Sequence, residues 1–146
     1  MKSPPRHIHT SVVAVIMDEE ERVLLTQRNI SPFKGKWALP GGKIVHGEAI
    51  VPALQREVEE EVGLEIKVDQ LIDVFEVIPR DEDEAHYIVL YYLSRPINKE
   101  LRLNYGEVQA AAWVSRKELS EYDTTPGTRH LLTKVFQDLG GQRALR

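Results

Sequence analysis

The segment at residues 42–64, GKIVHGEAIVPALQREVEEEVGL, constrains the fold more than any other part of this 146-residue chain. Glu57, Glu60 and Glu61 are spaced i, i+3 and i+4, so a helix would place their carboxylates on one face. Four apolar residues at helical spacing supply a second face for packing. They are Val51, Leu54, Val58 and Val62. The sequence therefore predicts a helix with one acidic side and one buried side.

Pro52 and Gly63 indicate where this helix begins and ends. Proline is tolerated in the first turn of a helix, because its missing N–H has no intrahelical partner there. The helix is therefore expected to begin near Ala49. Glycine adopts the left-handed conformation that closes many helices, so Gly63 is the expected C-cap. The carboxylates then lie within one uninterrupted helix.

The acidic face favours a divalent cation. Like charges at these spacings repel by about a few tenths of a kcal/mol per pair on an isolated helix, and a bound cation reverses that effect. Magnesium is usually held by a few carboxylates together with substrate phosphate. The chain has no cysteine, and its five histidines show no ligand spacing, so zinc is not favoured. The sequence predicts a magnesium site, with manganese as the alternative ion.

The same segment resembles the conserved box of the Nudix hydrolases, G-x5-E-x7-R-E-U-x-E-E-x-G-U, where U is apolar. All fixed positions of the pattern are matched in this chain. They are Gly42, Glu48, Arg56, Glu57, Val58, Glu60, Glu61, Gly63 and Leu64. The resemblance implies an α/β fold of the Nudix type, an α/β/α sandwich with a mixed β-sheet. Length and composition predict a single domain over residues 1–146, with residues 1–7 and 140–146 expected to be loose.

The resemblance also implies roles for individual residues. In the family, the metal is held by the backbone carbonyl at the position of Gly41 and by the carboxylates at those of Glu57, Glu60 and Glu61. Arg56 is implied to hold these carboxylates in place through ion pairs, with Glu48 as a supporting acid. The general base remains open between Glu57 and an acid from a later loop, for which Glu107 is the candidate.

Substrate contacts are less strongly indicated. The pair Gly41 and Gly42 is expected to form a glycine loop before the helix. Arg28, Lys34 and Lys36 flank this glycine pair and are candidates for binding phosphate. His86 and Tyr87 begin an apolar stretch and are candidates for lining a substrate pocket.

The remaining elements follow from alternation, apolar spacing and turn residues. Strands are predicted at residues 10–17 and 22–27 as a hairpin, at 37–39, at 65–78 as one or two strands broken near Asp69, at 86–94 and at 110–114. A small helix is predicted at 115–122, and a last helix is expected to open at Thr125 and Pro126. The strand at 86–94 is left open as core or interface, and a homodimer is left open with it.

Charge and hydropathy limit the classes of binding partner that are expected. A net charge of −4 argues against a surface that tracks nucleic-acid phosphates. No run of eighteen apolar residues occurs, so a membrane partner is not expected and a cytoplasmic location is the default expectation. The expected partner is a small nucleotide substrate.

The resemblance implies magnesium-dependent hydrolysis of a pyrophosphate bond in a nucleoside diphosphate linked to another moiety. Pro79 lies fifteen positions after Leu64, a spacing typical of members that cleave ADP-ribose, so an ADP-ribose-type substrate is slightly favoured. The alternatives are a MutT-like house-cleaning pyrophosphatase of (d)NTPs and a non-catalytic Nudix-fold nucleotide-binding module.

Overall fold

The structure is a computed structural model that describes residues 7–144, with side chains described as far as residue 138. The strands are β1 (Ile8–Ile16), β2 (Val23–Arg28), β3 (Trp37–Ala38), β4 (Gly41–Lys43), β5 (Ile66–Val77), β6 (His86–Pro96) and β7 (Val108–Val114). The α-helices are α1 (Ile50–Val62) and α2 (Pro126–Ala144), and a 3-10 turn covers Leu119–Glu121.

The strands form two sheets. The larger sheet has the order β4-β1-β6-β5, with β1 and β6 parallel and its other pairs antiparallel, so it is mixed. The smaller sheet has the order β3-β2-β7 and is antiparallel. The mixed sheet and the two helices agree with the predicted α/β/α sandwich.

Alternate residues of β1 point to opposite faces of the larger sheet, as the pleat requires. Val12 is fully buried in a cluster with Leu54 and Val58 of α1. Val15 is fully buried in a second cluster with Leu131 of α2. The larger sheet therefore has α1 on one face and α2 on the other, and the first of the two hydrophobic clusters fixes the position of α1.

The predicted hairpin at residues 10–27 is wrong. β1 and β2 lie in different sheets and share only an isolated bridge between Met17 and Val23. The Asp18 carboxylate accepts hydrogen bonds from the backbone amides of Glu20 and Arg22, which turns the chain sharply. Both edges of β1 are already occupied by β4 and β6, so β2 pairs elsewhere.

Three smaller differences between the sequence-based expectations and the structure are local. The glycine pair was expected to be a loop, but Gly41 and Gly42 lie in β4 and pair with β1. The small helix predicted at 115–122 is reduced to a 3-10 turn, although Ser115 and Glu118 exchange the expected capping hydrogen bonds. On α1 the buried face includes Ala53, whereas Val51 is 38% exposed.

The two long strands form where the sequence predicts strands. β5 is one strand, and its register shifts between Val68 and Gln70 replace the expected break at Asp69. The stretch predicted at 86–94 lies in β6, which pairs with β1 on one side and with β5 on the other. Because both edges of β6 are paired within the chain, β6 is part of the core and leaves no free edge.

Most of the segments expected to be loose, 1–7 and 140–146, lie outside the described residues. In the described part of the second segment, the backbone of α2 is helical through Ala144. None of the helices in the described part of the chain is long and apolar enough to cross a membrane.

Candidate active site

Helix α1 begins and ends where its sequence indicates. Ala49 is the N-cap in an extended conformation, and Pro52 lies in the first turn. Gly63 takes the left-handed conformation with φ 73° and donates its amide hydrogen to the Glu59 carbonyl. A side chain at this glycine would collide with Arg102. The acidic turn of α1 is therefore held between two defined ends.

Arg56 is the centre of a network of ion pairs. Its Nε and Nη2 lie 2.7 and 2.9 Å from the two carboxylate oxygens of Glu48. Its Nη1 donates to one oxygen of Glu57 and one of Glu60, each at 3.1 Å, and Nη2 also reaches the Lys43 carbonyl at 3.4 Å. One guanidinium therefore orients three carboxylates and ties α1 to β4.

Glu57 lies against the glycine pair. A Cβ atom added at Gly42 would overlap the carboxylate of Glu57, so the missing side chain at Gly42 makes room for the acid. Burial raises the pKa of Glu57, while Arg56 acts in the opposite direction and Glu60 and Glu107 add to the rise. Because Arg56 contacts only Oε1 of Glu57, the second oxygen remains available as a donor atom to a ligand.

Glu61 is the most strongly perturbed acid of the helix. Burial raises its pKa to about 8, and repulsion from Glu107 and Glu57 contributes to the rise. A hydrogen bond from the backbone of Gly41 and the charge of Arg28 oppose it without cancelling it. The charged form of Glu61 therefore lacks sufficient positive charge nearby, a deficit that a bound cation would correct.

Glu107 reaches the same region from the loop before β7. Its carbonyl accepts a hydrogen bond from the backbone amide of Asn29 at 2.9 Å, and its own amide donates to the Asn104 carbonyl at 3.0 Å. Asn104 in turn donates its amide hydrogen to the Glu61 carbonyl at 2.9 Å. The backbone of α1 and the loop carrying Glu107 are therefore directly linked.

Two residues that position the Glu107 loop are not among the site residues predicted from the sequence. Asn29 donates from Nδ2 to the Tyr105 carbonyl at 2.6 Å, and Asn104 accepts the Gly106 amide hydrogen on its side chain at 3.2 Å. Asparagine two residues before glycine is a turn signal and could have identified Asn104. The role of Asn29 depends on its contact with Tyr105, which lies 76 residues away in the sequence. No sequence pattern near Asn29 indicates that contact.

The chemistry of the donor groups fits a hard divalent cation. Glu57, Glu60 and Glu61 offer only oxygen donors within about one helical turn, next to Gly41. As the side chains lie, no three acidic or histidine side chains in the described residues converge as a complete set of metal ligands. Arg56 holds one oxygen of Glu57 and one of Glu60. The other oxygens remain for an ion, with substrate and water completing its shell.

The three basic residues that are candidates for binding phosphate lie in different environments. Arg28 lies close enough to lower the pKa of Glu61, and its Nε donates to the Pro32 carbonyl at 2.7 Å. Lys34 is exposed on the loop between β2 and β3. Lys36 forms an ion pair of 3.3 Å with Asp123, which directs its charge toward the segment before α2.

His86 and Tyr87 lie farther from the acids. Tyr87 pairs with His9 across the parallel strands, and their ring centroids are 5.2 Å apart. His9 lies four residues before Val13, the β1 partner of Gly41, so Tyr87 is about 13 Å along the sheet from the level of Gly41. His86 and Tyr87 therefore lie apart from the acidic residues of α1.

A cavity of about 210 Å³ lies between the larger sheet and α2, lined by residues that include Ile72, Leu93, Leu131 and Lys134. Its lining belongs to the sheet face opposite α1. The candidate active site is thus the open acidic surface of α1, β4 and the Glu107 loop, separate from this cavity.

Comparison with known proteins supports the same interpretation. The model of the NUDIX domain matches residues 7–135. The human (Homo sapiens) 8-oxo-dGDP phosphatase is 37% identical over 74% of this chain and 32% of its own length. The ADP-ribose pyrophosphatase of Methanocaldococcus jannaschii is 37% identical over 66% of this chain and 57% of its own length. The chain therefore spans between a third and somewhat more than half of these two relatives.

A third relative is covered more fully. Nucleoside triphosphatase NudI of Salmonella schwarzengrund is 35% identical over 71% of this chain and 79% of its own length. Among solved structures, the MutT NUDIX hydrolase of Burkholderia pseudomallei has a TM-score of 0.79 and 29% identity, over 89% of this chain and 99% of that one. The chain belongs to the Nudix family of hydrolases.

Proposed function

We propose that this chain hydrolyses a pyrophosphate bond in a nucleoside diphosphate linked to another moiety. One observation carries the proposal: Glu57 and Glu61 of α1 are electrostatically coupled to Glu107 of a separate loop, beside Gly41. Acids brought together from two elements in this way repel one another unless a cation is bound between them.

Four groups would hold the ion, which we propose to be magnesium, with manganese as the alternative. They are the carbonyl of Gly41 and the carboxylates of Glu57, Glu60 and Glu61. When bound, the ion supplies charge neutralisation of the diphosphate and lowers the pKa of water. Arg56 keeps Glu57 and Glu60 in orientation through its ion pairs.

Glu107 is the better candidate for the general base. Its carboxylate makes no hydrogen bond or ion pair with the side chains described, whereas Glu57 is engaged by Arg56. In the reaction, water adds to one phosphorus, the bridging P–O bond breaks and its electrons leave with the departing phosphate. Glu107 takes the proton that water loses. Arg28 and Lys34 are proposed to bind the phosphates.

An ADP-ribose-type substrate is slightly favoured. Pro79 follows β5 at the end of the sheet where His86 and Tyr87 begin β6, so all three are candidates for contacting the terminal ribose. The likeness to the M. jannaschii ADP-ribose pyrophosphatase supports the same choice.

A MutT-like pyrophosphatase acting on (d)NTPs is the second candidate. It is supported by NudI, of which the chain covers 79%, and by the relative that acts on 8-oxo-dGDP. A non-catalytic nucleotide-binding module is the third, and the presence of every acid of the box counts against it.

The test is a substrate panel at fixed magnesium concentration, containing ADP-ribose, 8-oxo-dGTP, 8-oxo-dGDP, dNTPs and diadenosine polyphosphates. We expect the highest kcat/KM for ADP-ribose, with AMP and ribose 5-phosphate as products. A higher kcat/KM for a triphosphate would reject the ADP-ribose assignment in favour of the second candidate. Binding of nucleotides without turnover anywhere in the panel would favour the third.

A further inference from the structure

Strand β5 is the outer strand of the larger sheet. One edge of β5 pairs with β6 from Ile66 to Val77, and the other edge is not paired with any strand of the described chain. A free edge presents a row of backbone N–H and C=O groups that another strand can bind. A twelve-residue edge strand is long for a protein that leaves it unpaired.

The free edge is apolar on both faces of the sheet. Its exposed apolar residues are Leu71, Val74, Phe75, Val77 and Ile78, with exposed fractions between 39% and 57%. Val74 pairs with Leu90, which packs on the α1 side, whereas Phe75 pairs with Val89, which packs on the α2 side. A partner lying on one face would leave the other face without contacts, but a strand added at the edge contacts side chains of both faces along their outer side.

The charges of β5 are largely neutralised within the chain. Asp69 accepts two hydrogen bonds from Arg95, at 3.0 and 3.2 Å, and Asp73 forms an ion pair of 3.5 Å with Lys134. Glu76 is the remaining acid between residues 71 and 78. Repulsion between two acidic strands is therefore weaker than the sequence of β5 alone would indicate.

Features that discourage strand addition lie mainly in the first half of β5, and beyond it the Val74 amide donates to the Asp73 carboxylate at 2.8 Å. The register shifts occur between Val68 and Gln70 and between Leu71 and Asp73. Bulges and charges of this kind protect natural edge strands. From Val74 onward the pairing with β6 is regular, and apolar residues predominate.

We propose that β5 pairs antiparallel with β5 of a second copy of this chain, forming one continuous eight-stranded sheet. A two-fold axis makes the contact self-complementary. With the axis at Val74 or Phe75, Asp73 faces Phe75 or Val77 of the other copy, and Glu76 faces Ile72 or Val74. Neither register opposes two acids, whereas an axis at Asp73 or Glu76 would.

The contact area sets the strength of the dimer. Five side chains of this size and exposure present on the order of 400 Å². With backbone and flanking atoms, each copy buries about 600 to 800 Å², near or below the roughly 800 Å² per partner of a standard interface. The dimer is therefore expected to be reversible and dependent on protein concentration.

Sedimentation velocity from about 5 to 500 µM tests the proposal. The wild-type protein is expected to shift from the monomer mass toward twice that mass as concentration rises. Val74→Lys places two charges near the two-fold axis and is expected to remain monomeric at every concentration. Ile97→Lys, at an apolar residue 65% exposed beyond the end of β6, is the matched control and is expected to dimerise like wild type.

A wild-type protein that stays monomeric at about 500 µM would overturn the proposal, as would a folded Val74→Lys that dimerises normally. Thermal melting checks that Val74→Lys is folded, and Phe75→Thr, which keeps a strand-forming residue, repeats the test if it is not. Hydrolytic activity of the variants should equal that of wild type, because β5 and β4 lie at opposite edges of the sheet.

Discussion

Arg56 binds Glu48 through two parallel hydrogen bonds, from Nε at 2.7 Å and from Nη2 at 2.9 Å. Such a two-point contact fixes the plane of the guanidinium, which then directs Nη1 at both Glu57 and Glu60. Glu48 lies before the helix and its Oε1 also accepts the Val45 amide hydrogen. The acid that precedes α1 therefore determines how the acids within α1 are held.

Arg56→Lys is predicted to lower metal affinity and turnover by about 10- to 100-fold. A lysine has one ammonium group and cannot make the two-point contact with Glu48 while also binding Glu57 and Glu60. Arg95→Lys, which disrupts a similar two-point contact with Asp69, is the matched control and should retain full turnover. Manganese titration and steady-state kinetics measure both. Equal losses in the two variants would contradict the positioning role of Arg56.

Gly42→Ala is predicted to reduce turnover by about 100-fold while the melting temperature changes little. The new methyl group would displace the Glu57 carboxylate, the far end of a flexible side chain that can move without disturbing the backbone. Gly127→Ala is the control, because its Cβ would make an ordinary 3.5 Å contact with the Tyr91 hydroxyl. If Gly42→Ala keeps wild-type turnover, Glu57 does not need its observed position.

Metal-free protein is predicted to lose stability as pH rises from about 4.5 to about 8. The folded state keeps a proton on Glu61 up to a pKa of about 8, whereas the unfolded state releases it near the ordinary value of 4.5. The contribution of Glu61 to stability is therefore fully present below the lower value and is lost as the buried carboxyl ionises. Thermal melts in chelator should show this slope flattened in Glu61→Gln and retained in Glu60→Gln. An unchanged slope in Glu61→Gln would assign the effect to other groups.

Glu107→Gln is predicted to lower kcat by about 10²- to 10³-fold, with KM and metal affinity close to wild type. Glutamine keeps the size of the side chain and the backbone links of Glu107 to Asn29 and Asn104, but it cannot accept the proton. A loss smaller than tenfold would transfer the role of general base to Glu57.

The local part of this site could be predicted from sequence. The spacing of the acids, Pro52 and Gly63 gives the ends and the faces of α1 from interactions within one helix, and the structure has them there. The match to the family pattern added the roles of Arg56 and Glu48. These predictions depend on residues within about twenty positions of one another.

Long-range pairing could not be predicted in the same way. Whether β2 continues a hairpin with β1 depends on which strands occupy the edges of β1, and β6 lies some seventy residues later in the chain. The attachment of Glu107 through Asn29 is likewise a contact between distant loops. Period-2 alternation identifies strands and carries no information about their neighbours.

Metal-dependent hydrolysis of ADP-ribose by wild type and Glu60→Gln tests the central claim most directly. Glu60 is 56% exposed, so its replacement should leave the fold intact and report on chemistry alone. We predict AMP release by wild type with magnesium, no release in chelator, and a decrease of about 10²-fold or more in Glu60→Gln. Release that persists in chelator, or that is equal in folded Glu60→Gln, would contradict the account.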